Sequence, residues 1–546
     1  MANDAEMTPR SRLSGAPDGE RWLTGRKLGM LLSCSGAPFM IMLDTNIVAV
    51  SLPSIARDLH GEFTDVEWVV SAYVLPFCAL LMPAGALADL LGRRSVLIIG
   101  LSVFTLASLL CGIAPNLAVL NAARALQAVG AALQLTSSLA VIGHGFDSSH
   151  RARVYAIWAT VMGVAPALGP VMGGLITSWL GWRWAFYINL PIGFLLISVI
   201  VWSVDESKDP KAGRLDLPGI LLFGTGLSSI VWALIDGNSA GWGSTAILGK
   251  LGLGVVLLVA FGFAERLHPR PMVDLDLFKD PTVVGAAISM LGYAAAAQVM
   301  MTILPIYLQD AFDFSPAIAG LAMIPFALPL LVGPGVGGRL ASRLSSRAML
   351  ALGLTTVAVG NGLLAISVYA GLGYWGVVLS MAVIGFAAGV LNSETTKAQI
   401  AAVPPERAGM ASGIAATTRF IGIIFGLAGL GAILSAVAEA NLRKLGTEAL
   451  GGRALDWHAL NLRIVGGDAV GALSGLAPGE HAALGYAVKE SVAAGFGATF
   501  AAAALVATAA GALAWLLVRT KAVSTLESKP NVPNSLLETG MLKATD

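Results

Sequence analysis

The stretch Gly85-Ala86-Leu87-Ala88-Asp89-Leu90-Leu91-Gly92-Arg93-Arg94 is written a second time, without a gap, as Gly338-Arg339-Leu340-Ala341-Ser342-Arg343-Leu344-Ser345-Ser346-Arg347. Each copy closes a long apolar run and opens the polar gap before the next one. A repeat of this kind in a very apolar chain points to two homologous membrane halves, with whatever site the protein has lying between them.

The rest of the 546 residues agrees. Hydrophobic residues make up 56% and charged residues only 12%, about half the charged fraction of ordinary soluble proteins. Apolar runs of about 20 residues recur almost end to end, so the solvent is lipid. The 64 glycines suit helices that pack through small residues. A net charge of +1 gives no footprint for nucleic acid. Cys34, Cys78 and Cys111 fall in apolar stretches and read as small buried hydrophobes. The six histidines lie near span ends or in gaps without metal-ligand spacing. No G-x-x-x-x-G-K-[ST] occurs, which argues against a nucleotide-driven pump. The first 27 residues show no signal peptide, and the tail after Arg519 reads as disordered.

Fourteen spans are expected, at about 28–56, 66–90, 95–115, 117–143, 152–179, 183–204, 215–235, 245–265, 282–308, 316–338, 348–370, 374–398, 409–437 and 491–518. With the N-terminus cytoplasmic, the inner segments hold 24 of the 34 Lys and Arg, and the short outer gaps hold only Arg57 and Arg183. Both termini are therefore expected inside. Gly85 closes span 2 and Gly338 closes span 10, so two extra helices sit between two six-helix halves. The gap 438–490 could carry a short interfacial helix or be a loose loop.

Asp44 lies about 16 residues into span 1, roughly 24 Å from the cytoplasmic end at 1.5 Å per residue. Arg124 lies about 7 residues into the opposed span 4, roughly 10 Å from the outer end, so the two depths are similar. The pair can meet directly or through Gln127. Intramembrane charges are costly and usually functional. A carboxylate that is alternately buried alone and paired with a guanidinium would bind and release a proton, although a purely structural ion pair is the plainer reading. Glu394, with Lys397 three residues on, reads first as a same-helix pair near the cytoplasmic end of span 12.

Gly85–Arg94 resembles the major facilitator pattern G-x-L-a-D-r-x-G-r-[KR]. Arg124-Ala-Leu-Gln127-Ala-Val-Gly130 is similar to the family's span 4 pattern R-x-x-q-G-x-G, with Ala128 in place of a glycine. Gly163-Val-Ala-Pro166-Ala-Leu-Gly169-Pro170-Val-Met-Gly173-Gly174 resembles the antiporter pattern of span 5. Leu43–Val48 with Leu52-Pro53, Trp182–Pro191 and Arg407–Gly413 resemble the fourteen-helix drug–proton antiporter branch. The resemblance runs from about residue 28 to 437 and includes span 14.

That resemblance implies an all-α polytopic membrane protein with the major facilitator fold, two six-helix bundles plus two inserted helices. The expected divisions are a tail at 1–27, a bundle at 28–204, the inserted pair and linker at 205–280, a second bundle at 281–519 and a tail at 520–546. It implies a non-enzymatic, proton-coupled exporter of small amphiphilic or cationic compounds, a monomer in a bacterial inner membrane, with the proton as coupling ion and no other cofactor. Asp44 and Arg124 are the expected coupling pair. Gly85, Asp89, Gly92, Arg93 and Arg94 form the expected conformational gate, Asp89 either capping a helix N-terminus or pairing with an arginine. Gly163, Gly169, Pro170, Gly173 and Gly174 are expected to pack span 5 against the opposite half. Candidate substrate contacts are Asn46, Tyr73, Phe77, Gln134, Trp158, Asn189, Tyr293, Gln298, Met300, Asn361 and Arg419. With Asp44 as the carboxylate placed deep in the bilayer, a cavity lined by aromatics suits lipophilic cations. An exporter of one specific lipid, siderophore or natural product, a proton-coupled importer, and a receptor or enzyme reusing the fold remain as other readings.

Overall fold

A computed structural model describes residues 25–519 apart from 62, 147, 209–215, 268–272, 404–407, 451–454, 466–472 and 474–477. The described residues are mostly helical, and no strand occurs among them. In order they are α1 (Arg26–Leu59), α2 (Phe63–Leu91), α3 (Arg93–Gly112), α4 (Leu117–Gly145), α5 (Ser148–Leu180), α6 (Trp184–Tyr187), α7 (Asn189–Ser203), α8 (Leu217–Ala240) and α9 (Thr245–Leu267). Then come α10 (Pro281–Tyr293), a π-helical turn Ala294–Gln298, α11 (Met300–Phe312), α12 (Pro316–Ala322), α13 (Ile324–Ala341), α14 (Ser346–Tyr369), α15 (Gly373–Ala401), α16 (Ala408–Ala449), α17 (Trp457–Val465) and α18 (Pro478–Leu517).

Among the described residues, twelve helical segments are long and apolar enough to cross a membrane. In these, α6 with α7, α10 with α11, and α12 with α13 each act as one span. α2 is a further, broken candidate, bent by 56° between Trp68–Leu81 and Pro83–Leu91. Pro83 accounts for the bend, because its ring removes a backbone donor and crowds the preceding turn. The apolar part of α5 is the shorter Val164–Leu180. Each expected span falls on one of these segments, although length and composition alone pass only twelve or thirteen of them.

Two boundaries differ from expectation. α16 runs 12 residues past 437 and α18 starts 13 residues before 491. Hydropathy stops at the polar residues, but the helices do not. Glu439 accepts from Arg443 one turn on (2.9 Å) and lies 2.7 Å from His458 Nδ1. The described part of the 438–490 gap is therefore mostly helix. Between its two extensions sits α17, with Trp457, Leu462, Ile464 and Val465 buried and Asn461 donating to Ser435 O (3.1 Å).

α1–α7 pack on one another, as do α10–α16 with α18, while α8 pairs with α9 and rests on α2 and α16. α1 and α5 run parallel: positions 46, 47 and 51 of α1 meet 169, 173 and 177 of α5 in step. The end carrying the start of α1 is termed the near face and the opposite end the far face. The joins between α1 or α5 and α11–α12 lie toward the far face. Gln309 Nε2 donates to Val50 O (3.2 Å), and Ala317 N donates to Ser178 Oγ (2.8 Å). Gly174 and Gly320 let two backbones touch, since a Cβ on Gly174 would stand 3.0 Å from Gly320 Cα and would run into the Pro316 carbonyl.

Candidate functional site

Asp44 and Arg124 meet inside the α1–α7 group. Arg124 Nη1 donates to Asp44 Oδ2 at 2.7 Å, with Asp44 0% and Arg124 1% exposed. Four further groups converge on the pair. Gln127 Nε2 donates to Asp44 Oδ1 (3.0 Å) and to Ser108 Oγ (2.8 Å), and its Oε1 accepts from Arg124 (2.7 Å). Asn189 Nδ2 donates to Asp44 Oδ1 (2.7 Å). Arg124 Nε donates to Val69 O (3.2 Å), and its guanidinium lies 4.2 Å from the Tyr73 ring centre. Four helices thus hold one carboxylate, α1 supplying the acid, α4 the arginine and glutamine, α7 the asparagine and α3 the serine. Burying two charges is costly unless the remaining donors and lone pairs are satisfied, and here they largely are.

Asn189, expected as a substrate contact, and Ser108, which sequence reasoning missed, belong to this network. Asn189 opens α7 after the short α6, so its depth is set by a helix break that hydropathy does not show. Tyr73 packs over the arginine, and its ring also stacks on Phe77 at 5.9 Å. Phe77 meets Phe420 of α16 edge-on at 4.5 Å, and Cys78 Sγ lies 3.5 Å from Thr417 O, joining α2 to α16.

The gate residues form a local structure at the near face. Asp89 pairs with Arg93 one turn on (2.9 Å) and does not cap a helix. The start of α3 is instead capped from a distance by Glu206, which accepts from Arg94 N and Ser95 N (both 3.1 Å) and from the Ser95 hydroxyl. Glu206 lies just past α7 and has no spacing signal that would mark it. Burial pushes its carboxyl upward, but hydrogen bonds from Ser95 and from the Ser207, Arg94 and Ser95 amides outweigh this and hold it below the usual range. Gly92 is required twice over: its φ is +118°, and a Cβ would lie 2.6 Å from the Glu206 carboxyl carbon. A Cβ on Gly85 would meet nothing within 4 Å. Arg94 Nη2 donates to Val201 O (2.9 Å). In the second copy Ser345, aligned with Gly92, caps α14 itself by accepting from Ala348 N (3.4 Å). The two copies diverge because the same helix start is capped from outside in one and from within in the other.

The span 5 glycines divide. Gly169 and Gly173 face α1, where added Cβ atoms would press on Asn46 and on Ile47 Cα (2.9 Å), so they pack within their own half and not across it. Only Gly174, with the Pro170 carbonyl, meets α12 of the other half. The surroundings of Gly163 lie outside the described residues.

A second polar cluster stands in the α10–α16 group. Arg419 Nε donates to Gln298 Oε1 (2.8 Å), and Nη2 donates to Asn392 Oδ1, which also accepts from Tyr293 Oη (3.3 Å). Gln298 ends the π-helical turn, and Asn361 Nδ2 supports that turn by donating to Ala296 O (3.0 Å). Asn392 was not among the expected residues, being 27 positions from its arginine without periodic relation. Of the eleven expected substrate contacts only Trp158, Gln298 and Arg419 are partly exposed; Gln134, Met300 and Asn361 are fully buried. Glu394 pairs with Lys397 at 2.6 Å.

The comparisons with known proteins agree with this architecture. The chain is 36% identical over 405 residues to the multidrug resistance protein Stp of Mycobacterium tuberculosis (strain CDC 1551 / Oshkosh), covering 74% of this chain and 75% of Stp. It is 29% identical over 524 residues to the tetracenomycin C resistance and export protein of Streptomyces glaucescens, covering 93% of each. A solved bacterial homologue of the human lysosomal transporter Spinster, inward-facing and unoccupied, superposes with a TM-score of 0.63 at 16% identity, over 90% of this chain and 97% of that one. The model of the Major Facilitator Superfamily matches residues 34–427. The chain is a multi-pass membrane transporter and belongs to the Major Facilitator Superfamily.

Proposed function

We propose that this protein is a proton-coupled exporter of small amphiphilic compounds, of the fourteen-helix drug–proton antiporter branch. It works by alternating access in a bacterial cytoplasmic membrane with both termini inside. Two six-helix bundles, 28–204 and 281–519, are the bodies that move, and the inserted pair rides with them. The observation that carries the reading is the sealed Asp44–Arg124 pair. For stability alone, apolar residues of the same volume would serve as well or better than a buried ion pair. A carboxylate clasped by α4 and α7 is instead suited to taking up and giving back a proton.

With the N-terminus inside, the far face is the outside, and the cycle turns on the making and breaking of the Asp44–Arg124 pair. When the far face opens, a proton reaching Asp44 removes the charge opposite Arg124. The guanidinium keeps Val69 O, Gln127 Oε1 and the Tyr73 ring. Asp44 then holds α4 and α7 less firmly, and α1 can move. α1 also carries Asn46 against Gly169 and Val50 against Gln309, so its movement reaches the far-face seal. Release of the proton to the cytoplasm re-forms the pair and resets the cycle. Relatives named for multidrug resistance and for resistance to and export of tetracenomycin C support a drug-like cargo.

The test is efflux from proteoliposomes under an imposed pH gradient, inside-out against right-side-out. Accumulation of a fluorescent amphiphile that follows the proton gradient, and collapses with an ionophore, is expected. Transport indifferent to the gradient would remove proton coupling.

A further inference from the structure

Asp44 was the acid expected to receive a cationic substrate. It is fully buried behind Arg124, Gln127 and Asn189, and so offers no oxygen to a ligand. Glu394 is 5% exposed and paired with Lys397. Arg419 is the opposite case. It lies 11 residues into α16, deep in the span, and is partly exposed. Its described partners are neutral: two amide oxygens and, 5.8 Å away, the Tyr293 ring. A guanidinium has five N–H donors in a planar fork. Among the described residues, the two bonds to Gln298 and Asn392 engage Nε and Nη2, so donors of the fork remain for a ligand.

The surroundings hold this charge in place. Gln298 closes a π-helical turn, and such turns concentrate at functional sites. Asn361, buried, fixes the turn. Tyr293 fixes Asn392. The next residue along, Phe420, meets Phe77 of the other half edge-on, which puts an aromatic contact between the two halves one position from Arg419. A charge with no carboxylate partner among the described residues is expensive at this depth, and the cost is recovered when a ligand carboxylate accepts its remaining donors.

We infer that Arg419 is the anion-recognising group of the substrate site, and that the compounds carried are aromatic amphiphiles bearing a carboxylate or an acidic phenol. This rests on the exporter reading above and deepens it. Gln298 and Asn392 aim the fork, and Tyr293 with the Phe77–Phe420 contact receives the apolar body.

The test uses the full-length protein in phosphatidylcholine nanodiscs, with fluorescence anisotropy of two xanthene dyes of similar size, anionic fluorescein and cationic rhodamine 6G. Fluorescein should bind more tightly than rhodamine 6G. Arg419→Gln should weaken fluorescein at least tenfold and change rhodamine 6G less than twofold. Arg419→Lys should keep part of the affinity, since the charge remains without the fork, and Gln298→Ala should give an intermediate loss. Retained rhodamine 6G binding shows that the variants are folded. Equal losses on both dyes, or no loss on fluorescein, would overturn the inference. An anionic lipid headgroup offers the same oxygens. If adding phosphatidylglycerol displaces all Arg419-dependent fluorescein binding from wild type at trace lipid fractions, the site is a lipid site and the inference falls. In the proteoliposome assay above, run with the same two dyes, Arg419-dependent fluorescein binding without transport of either dye would sink the exporter reading and leave the anion site standing.

Discussion

Asp44 and Arg124 can be separated as structure and as mechanism by removing both charges. Arg124→Ala alone strands a buried carboxylate, a change that typically costs about 3–5 kcal/mol, so poor yield and a lowered melting temperature are expected. Asp44→Asn strands the guanidinium in turn but keeps the shape and leaves it Val69 O and Gln127 Oε1, so a smaller loss of stability is expected. The double variant Asp44→Asn/Arg124→Gln should recover most of the stability in a fluorescence melting assay. Its efflux driven by a pH gradient should nevertheless be absent. Recovery of transport along with stability would make the pair a structural one. The pair itself was legible in the sequence, because two charges at matching depth in adjacent antiparallel spans have few other partners. The clasp around it was not. Ser108 and Asn189 are ordinary polar residues whose depth depends on helix packing and on the break between α6 and α7. Asn392 likewise reaches Arg419 only through the fold.

At the scale of elements, the near-face motif acts as a capping device for α3. Gly92→Ala should be damaging for two stated reasons, a φ of +118° and the Glu206 carboxyl where the methyl would go. Glu206→Gln should cost about 0.5–1 kcal/mol, the lower part of the capping range, because the carboxylate is exposed and screened. Since Glu206 is held below its ordinary range in the folded protein, its contribution is full above the unfolded carboxyl pKa and disappears as pH falls through the lower folded value. Melting of wild type and Glu206→Gln should therefore differ near neutral pH and converge in acid. A difference that persists at low pH would assign the effect to shape and not to charge. Sequence reading identified the repeat that places this element but assigned Asp89 the freedom to cap; the actual cap comes from 111 and 112 positions away and leaves no local trace.

α5 carries a second prediction at this scale. Gly169→Leu tests packing inside one half, against Asn46, whereas Gly174→Val tests the join between halves, against Gly320 and Pro316. Overpacking typically costs about 1–3 kcal/mol. Placed on the closed far face alone, that shifts its population by roughly five- to 150-fold. Gly174→Val should therefore let a membrane-impermeant thiol reagent reach a cysteine placed at Val50 from the far side, while the melting temperature changes little. A loss of stability without a change in reagent access would place Gly174 in ordinary packing.

For the whole molecule, the motion requires the far-face joins to part and re-form. Among the described residues these joins include Val50 with Gln309, Ser178 with Ala317, and Gly174 with Gly320, beside the packing of α5 on α13 and of α17 on α2. The fold was readable at this scale because lipid imposes runs of about 20 apolar residues and loop charges impose orientation. The extra turns of α16 and α18 were not, because water-exposed helix beyond the bilayer follows no hydropathy rule. The orientation itself can be checked with Asn3→Cys and Gly540→Cys, both of which should label only from the cytoplasm. The motion can be checked by tying one join shut. Cys34, Cys78 and Cys111 are buried and unpaired, so a new pair at Ser178→Cys and Ala317→Cys has little competition. The Ser178 hydroxyl accepts from Ala317 N at 2.8 Å, so these two positions are neighbours across the join. Under oxidation the far face should stay closed, so near-face binding of an amphiphile should persist while gradient-driven efflux stops. Reduction should restore efflux, and each single cysteine should be insensitive to oxidant. Efflux that continues through a fully formed cross-link would mean that the substrate leaves without the far-face ends of α5 and α12 separating, and alternating access about this join would have to be abandoned.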